Sequence, residues 1–508
     1  MKKIEVFIFL LILLLGFLVR LYRFDNPVAD WHSFRQSDTN AVSAIFVRDG
    51  IDLLYPRYFD ISNVQSGLDN PQGYRFVEFP IYNALQAGLF GVLGELGLTL
   101  EQWGRLISIF ATLSGTVFVF LLTKKYAGRI AGFMAAFFYL FLPFSIFYGR
   151  SILPDPSMTA SIMGGIYFFD KWIEKKSKIN PSTKLRTGNQ KSKIWFDKLT
   201  ILSNVEGHIK NQIFFALSIL FTAFAFLLKP FALFFTLPII YFALREFGLG
   251  LVKKWQIWLF AFLTLAPLLV WRWWIGQYPE GIPVSGWLFN GNGIRFRPAF
   301  FRWIFFERIT KLILGYSGII FAAVGTVEVL RRIKEKSSGL FLSFALSSLI
   351  YLLVIATGNV QHDYYQIAII PTVSMFGGLG AAWLLGRLGR YGAVAVTVII
   401  FAMFWFSWTQ ARDYFNINDR GMVEAAGAAN KILPKDATVI APYDGSTTFL
   451  NLIQRRGWPV FQKSIEELIE SGAEYLVIAN PTQSDFDGFG KTYKHVTSGS
   501  SYLILKLK

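Results

Sequence analysis

The chain contains no cysteine. That excludes disulfides, thiol nucleophiles and zinc–thiolate sites, and leaves the redox compartment undetermined. Charge is also scarce, at 16% of 508 residues, and there are only four histidines. The C-terminal region has no G-x-G-x-x-G or P-loop fingerprint, so it offers no recognisable nucleotide site. What fills the sequence instead is apolar: 53% hydrophobic and 17% aromatic residues, with a mean hydropathy of +0.43. A water-soluble domain cannot hide that much apolar surface, so lipid must solvate most of the chain.

The apolar residues come in blocks of roughly 20, the length a bilayer demands. The formal charge of +17 does not point to nucleic acid, because Lys and Arg cluster between apolar blocks and not along one amphipathic face. They read as topology signals. Met1-Lys2-Lys3 and the apolar run to Leu21 lack a small-residue cleavage site and read as an uncleaved first span starting in the cytoplasm. Residues 23–102 are polar and proline-punctuated, too long for a linker, and read as a large external loop with structure of its own. Within it, Pro80–Leu96 is apolar but short, with Glu78 and Glu95 at its flanks. If it spanned, Lys124, Lys125, Arg129 and the lysine-rich stretch 175–210 would all fall outside, so an interfacial helix is expected. Further spans are then expected near 103–123, 128–148, 157–174, 211–228, 230–245, 255–275, 309–330, 338–357, 366–386 and 391–409, which with the first makes about eleven by the length rule.

The sequence thus predicts a polytopic α-helical membrane protein: a membrane part over 1–409 and a small external α/β domain over 410–508. The apolar runs Thr438–Ala441, Tyr475–Ala479 and Tyr502–Leu505 alternate there with helix-like Gly421–Ile432 and Ser464–Ser471. That domain is read as binding or positioning, not catalytic.

With this topology the polar groups converge on one face. Asp38 follows Asp30, His32 and Arg35 and heads a helix-like segment. It is a base or ligand, or it merely caps that helix. Tyr148-Gly149-Arg150 to Asp155-Pro156 places charges beside two spans, where ionisable groups are costly and tend to be functional; Asp155 before Pro156 also fits a helix start. Glu78 opens the interfacial helix. His362, Tyr364 and Tyr365 sit in a short loop suited to a phosphate or an acceptor, although a loop histidine is as readily a solvated one. Lys229, in a tight hairpin, snorkels or meets an anionic head group.

In this order, Arg35-Gln36-Ser37-Asp38-Thr39, Glu78-x-Pro80-x-Tyr82, Arg105, and Tyr148-Gly149-Arg150 through Asp155-Pro156 resemble the GT-C fold membrane glycosyltransferases, in the branch of the protein O-mannosyltransferases and the lipid A aminoarabinose transferase. The resemblance covers residues 1–175 well and the later spans in outline. It implies transfer of a sugar from a polyprenyl-phosphate donor to a lipid, glycan or protein acceptor on the non-cytoplasmic face of the cell membrane. It gives Asp38 the role of base or metal ligand and Asp155 a supporting one, with a divalent ion held by both as one option. One departure matters. Where aminoarabinose-type relatives carry Lys-Pro-Pro, this chain has Glu78-Phe79-Pro80, so other cations must hold the donor phosphate: Arg35, Arg150 or Lys229.

The chemistry is consistent with the absent nucleotide site. No nucleotide sugars exist outside the cytoplasm, so a donor there must partition into the membrane. Phosphate is already a good leaving group; the site needs cations and one base for the acceptor hydroxyl. The alternative from another class is a multi-span transporter or lipid flippase, which should carry its ionisable residues at mid-span and show inverted repeats.

Overall fold

The protein was described through a computed structural model, which covers residues 3–179 and 193–508, with side chains over 3–174 and 209–508. Of the lysine-rich connection 175–210, residues 180–192 lie outside the described residues.

The first helix, α1 (Lys3–Val19), is apolar apart from Lys3 and Glu5 at its start. Two helices of the first loop follow, α2 (Ser33–Asp49) and α3 (Ile81–Leu93). Thr99 opens α4 (Leu100–Ala127) with a reciprocal cap: its hydroxyl accepts from the Gln102 N–H while the Gln102 side chain accepts from the Thr99 N–H. Helix α5 (Arg129–Phe141) stops before Pro143, which starts the short α6 (Pro143–Tyr148), because proline removes one backbone donor. Helix α7 (Asp155–Ile179) leads on to the later helices.

Six helical segments among the described residues are long and apolar enough to cross a membrane, against the expected eleven or so. The reasons are local. Pro143 splits the block at 128–148, and a wide-turn helix over Arg302–Ile313 precedes the short Ile319–Arg331. The blocks at 366–386 and 391–409 are two helices within Ile370–Ala411 that meet at Gly389, with φ 53° and ψ −126°, a conformation open to glycine. Two helices cross closely at Gly325 and Gly380, where a Cβ on either would strike the partner's backbone carbonyl.

The basic connections gather at one end of the bundle. Glu5 pairs with Lys124 and Arg129 at 2.9 Å, and Asp170 with Lys125 at 2.5 Å and Arg245 at 3.7 Å. Tyr126, Arg332 and Arg387 line one cavity there.

The opposite end carries the first loop and a five-stranded sheet in the order β2-β1-β3-β5-β4: β1 (Val439–Ile440), β2 (Gly457–Trp458), β3 (Tyr475–Ala479), β4 (Lys494–Ser498) and β5 (Tyr502–Lys506). The pairs β1–β2 and β1–β3 are parallel, while β3–β5 and β4–β5 are antiparallel. The first loop extends this sheet. Gly457 N–H donates to Phe59 O at 2.9 Å and Ile61 N–H to Gly457 O at 3.0 Å. Val42, Ile45, Phe46 and Phe59 share one hydrophobic core with Ala425, Phe449, Leu450 and Ile504. Each such fully buried large side chain stabilises the arrangement by roughly 1.5–3 kcal/mol, so α2 is held by the C-terminal region as well as by α3, whose Ala87 joins the same core.

Candidate active site

Helix α2 is unusual in what it buries. Arg35, Gln36, Ser37, Asp38, Thr39 and Asn40 are all buried, and buried polar groups need partners. Gln36 donates to Asp30 at 2.8 Å, Asn40 to Asn451 at 3.1 Å, and Ser43 to Gln86 at 2.8 Å. The first half of the helix thus buries polar groups, while its second half supplies Val42, Ile45 and Phe46 to the core.

Asp38 is the best-held member. Its Oδ2 receives Arg75 Nη2 at 2.5 Å, and its Oδ1 receives the Thr447 hydroxyl at 2.6 Å. The capping alternative falls away: the residue before the helix is His32, at φ 51°, and no side chain caps it. Asp38 lies in the second turn.

Two more buried ion pairs stand beside it. Arg35 pairs with Glu78, and Lys229 Nζ meets both oxygens of Asp155 at 2.7 Å. Lys229 also lies 5.6 and 5.4 Å from the ring centres of Tyr364 and Tyr365, a range at which a cation is attracted to the ring face. The pairs form one electrostatic unit. Burial pushes the Glu78 carboxyl up, but Arg35, Lys229 and Arg75 together hold it below its ordinary value. Burial lowers the Arg35 guanidinium, and Glu78 with Asp38 more than reverse this. A small cavity of about 20 Å³ lies among Arg35, Asp38, Arg75, Glu78 and Pro154, room for about one water. On its other side, Asp38 lines a cleft of about 400 Å³ between Trp31–Phe34 and Tyr443–Thr447.

Of the residues singled out from sequence, Arg35, Asp38, Glu78, Asp155, Lys229 and Tyr365 come together. Arg150 does not. It donates to Arg23 O at 3.0 Å and faces Asp30 at 3.4 Å, with its guanidinium 4.8 Å from the Phe415 ring centre. His362 lies in an aromatic nest with His32, Tyr364 and Trp287. Burial, and then His32, pushes its imidazole down to about 4, so it brings no positive charge to a phosphate near neutral pH.

Three contributors escaped the sequence reading. Arg75 sits in an aperiodic loop, and its buried Nε and Nη1 have no partner among the described residues, leaving donors for an anion. Thr447 reaches Asp38 from the C-terminal region, whose expected part was binding or positioning. Asp363 is fully buried and collects His32 Nε2 at 2.8 Å, Arg308 at 3.8 Å, Trp31 Nε1 at 3.3 Å and the Tyr148 and Tyr414 hydroxyls. Its only sequence signal was the aspartate beside His362.

The option of a divalent ion on Asp38 and Asp155 does not fit this arrangement. Each carboxylate is closed by its own cation, and among the described residues no group of three or more His, Asp or Glu side chains converges.

No known family model matches the chain, and no curated protein matches it in sequence. Solved structures do match in shape. The crystal structure of ArnT from Cupriavidus metallidurans bound to undecaprenyl phosphate superposes with a TM-score of 0.65 at 12% identity, over 100% of this chain and 98% of that one. The oligosaccharyltransferase AglB from Archaeoglobus fulgidus, in complex with an inhibitory peptide and a dolichol-phosphate, gives 0.55 at 11% identity, over 96% of this chain and 70% of that one. From end to end, the chain therefore has the GT-C fold of these membrane glycosyltransferases.

Proposed function

We propose that the protein is a membrane glycosyltransferase that moves a sugar from a polyprenyl-phosphate donor to an acceptor hydroxyl, with Asp38 as the base. The observation that carries this reading is the position of Asp38: a buried carboxylate between a guanidinium with spare donors and an open cleft. It is supported by a fold whose solved representatives hold undecaprenyl phosphate and dolichol-phosphate.

Each half of the site has a role. Arg75 and Arg35 hold the donor phosphate, since a guanidinium offers two-pronged donors to phosphate oxygens and stays charged. Lys229, fixed by Asp155, adds positive potential nearby. The acceptor oxygen forms a bond to the anomeric carbon while the bond from that carbon to the phosphate oxygen breaks, its electron pair leaving with polyprenyl phosphate. The acceptor proton passes to Asp38. One displacement of this kind inverts the anomeric carbon. Arg75 on Oδ2 orients Asp38 and leaves Oδ1 as the proton-accepting atom.

The sidedness follows from charge. Basic connections lie at the end away from Asp38, and the positive-inside rule places that end in the cytoplasm, with the site and the sheet of region 410–508 on the non-cytoplasmic face of the cell membrane. We read residues 1–409 as the catalytic membrane part.

The test is turnover by protein purified into lipid nanodiscs, given undecaprenyl- and dolichyl-phosphate hexoses and pentoses, with release of polyprenyl phosphate as readout. At least one donor is expected to be consumed. Failure of every donor, together with no binding of undecaprenyl or dolichyl phosphate, refutes the proposal.

A further inference from the structure

The cleft beside Asp38 has a wall from each half of the molecule. Trp31 and Phe34 come from the first loop, Tyr443 and Asp444 from the C-terminal region, and Gln65 and Asn418 close its sides. Three aromatic side chains with amides and a carboxylate beside them suit a ring that is apolar on its faces and polyhydroxylated at its edges, which is the chemistry of a saccharide. At about 400 Å³ the cleft lies within the range of small-ligand sites.

The inner end of the cleft is the Asp38 carboxylate, and there the Thr447 hydroxyl donates to Oδ1 at 2.6 Å. A substrate hydroxyl must donate this same hydrogen bond to Asp38 before its proton can be transferred. Oδ2 is already committed to Arg75. Thr447 is not needed as a helix cap: it precedes the helix Thr448–Ile453 and makes no capping hydrogen bond. The segment carrying it turns tightly through Asp444 (φ 49°) and Gly445 (φ 75°) and is tied to the sheet by Tyr443 N–H and Gly445 N–H on Pro459 O.

We propose that the cleft binds a saccharide acceptor and that Thr447 occupies, in the resting site, the position on Asp38 that the acceptor hydroxyl takes. This rests on the glycosyltransferase reading and narrows its acceptor to a glycan or the sugar part of a glycolipid. Thr447 is then a positioning residue that gives way: it keeps the buried carboxylate satisfied while the cleft is empty and competes with the incoming hydroxyl.

The test uses full-length protein in nanodiscs and, as probes, methyl α-D-mannoside, methyl β-D-glucoside and methyl α-L-arabinoside, with Kd read from saturation-transfer NMR. At least one is expected to bind at millimolar concentration. In Thr447→Ala, which removes the competing hydroxyl and vacates its space, the Kd should fall roughly three- to tenfold, the worth of one hydrogen bond, while Thr447→Ser should match wild type. Absence of glycoside binding in all three proteins overturns the proposal, as does a Kd that Thr447→Ala leaves unchanged or raises. Thermal stabilisation by undecaprenyl phosphate, measured on the same samples, separates the two readings: lipid binding without glycoside binding sinks the acceptor assignment alone, and loss of both sinks the transferase reading as well.

Discussion

Replacing Asp38 by Asn removes one charge and changes almost no volume. In the structure Asp38 accepts from Arg75 on one oxygen and from Thr447 on the other. Asn can keep both contacts if its carbonyl faces Arg75 and its amide donates to the Thr447 hydroxyl, which can accept as well as donate. The shape of the site therefore survives. Two things do not. The base is lost, worth roughly 10²–10⁴-fold in turnover for a general base. Arg75, whose side chain is only 8% exposed, also loses its counter-charge, and removing one partner of a buried pair typically costs about 3–5 kcal/mol. The retained amide contact places Asp38→Asn below that range, at about 1–3 kcal/mol. Stability should thus fall measurably while the fold persists. The unbalanced guanidinium should in turn bind polyprenyl phosphate more tightly, because the phosphate now supplies the missing charge. The assay pairs donor turnover with undecaprenyl-phosphate affinity in nanodiscs, and adds a thermal melt. A variant that keeps more than about a tenth of wild-type turnover would show that Asp38 is not the base. Lost turnover with weakened lipid binding would count against Arg75 as a phosphate ligand.

Other perturbations bear on neighbouring parts of the argument. Lys229→Met should destabilise the protein by about 3–5 kcal/mol by stranding the buried Asp155, and Lys229→Met with Asp155→Leu should regain most of that stability without regaining activity; equal activity in the double variant would remove Lys229 from the site. Burial pushes the Asp60 carboxyl up to about 6, so the folded state holds a proton there that the unfolded chain, with a value near 4, releases. Stability should accordingly fall as pH rises from about 4 to about 6 and level off above, by at most about 3 kcal/mol. Asp60→Asn should flatten that part of a denaturation-against-pH curve, and an identical curve would mean that Asp60 does not titrate there. Reporters fused after Lys125 and after Gln410 should lie on opposite sides of the membrane, the first cytoplasmic; both on one side would invert the placement of the site.

The membrane class was legible in the sequence because it depends on one-dimensional quantities: block length, mean hydropathy and the position of Lys and Arg between blocks. The strands β3 and β5 were legible too, as short apolar runs between helix-like segments. The order of Arg35, Asp38, Glu78, Asp155 and Lys229 along the chain carried enough chemistry to mark them. Which of them touch was not readable. Arg150 and Asp155 are five positions apart and read as one charge pair, yet the turn between them sends Arg150 to Asp30 and Asp155 to Lys229. The break at Pro143, inside the block 128–148, was not readable from composition. Arg75 and Thr447 lie in loops without periodicity, 37 and 409 residues from Asp38. Contacts at such separations are set by how the first loop joins the edge of the sheet, a pairing that goes with the shared tertiary core of Phe46, Phe59, Phe449 and Ile504 and with no local pattern in the sequence.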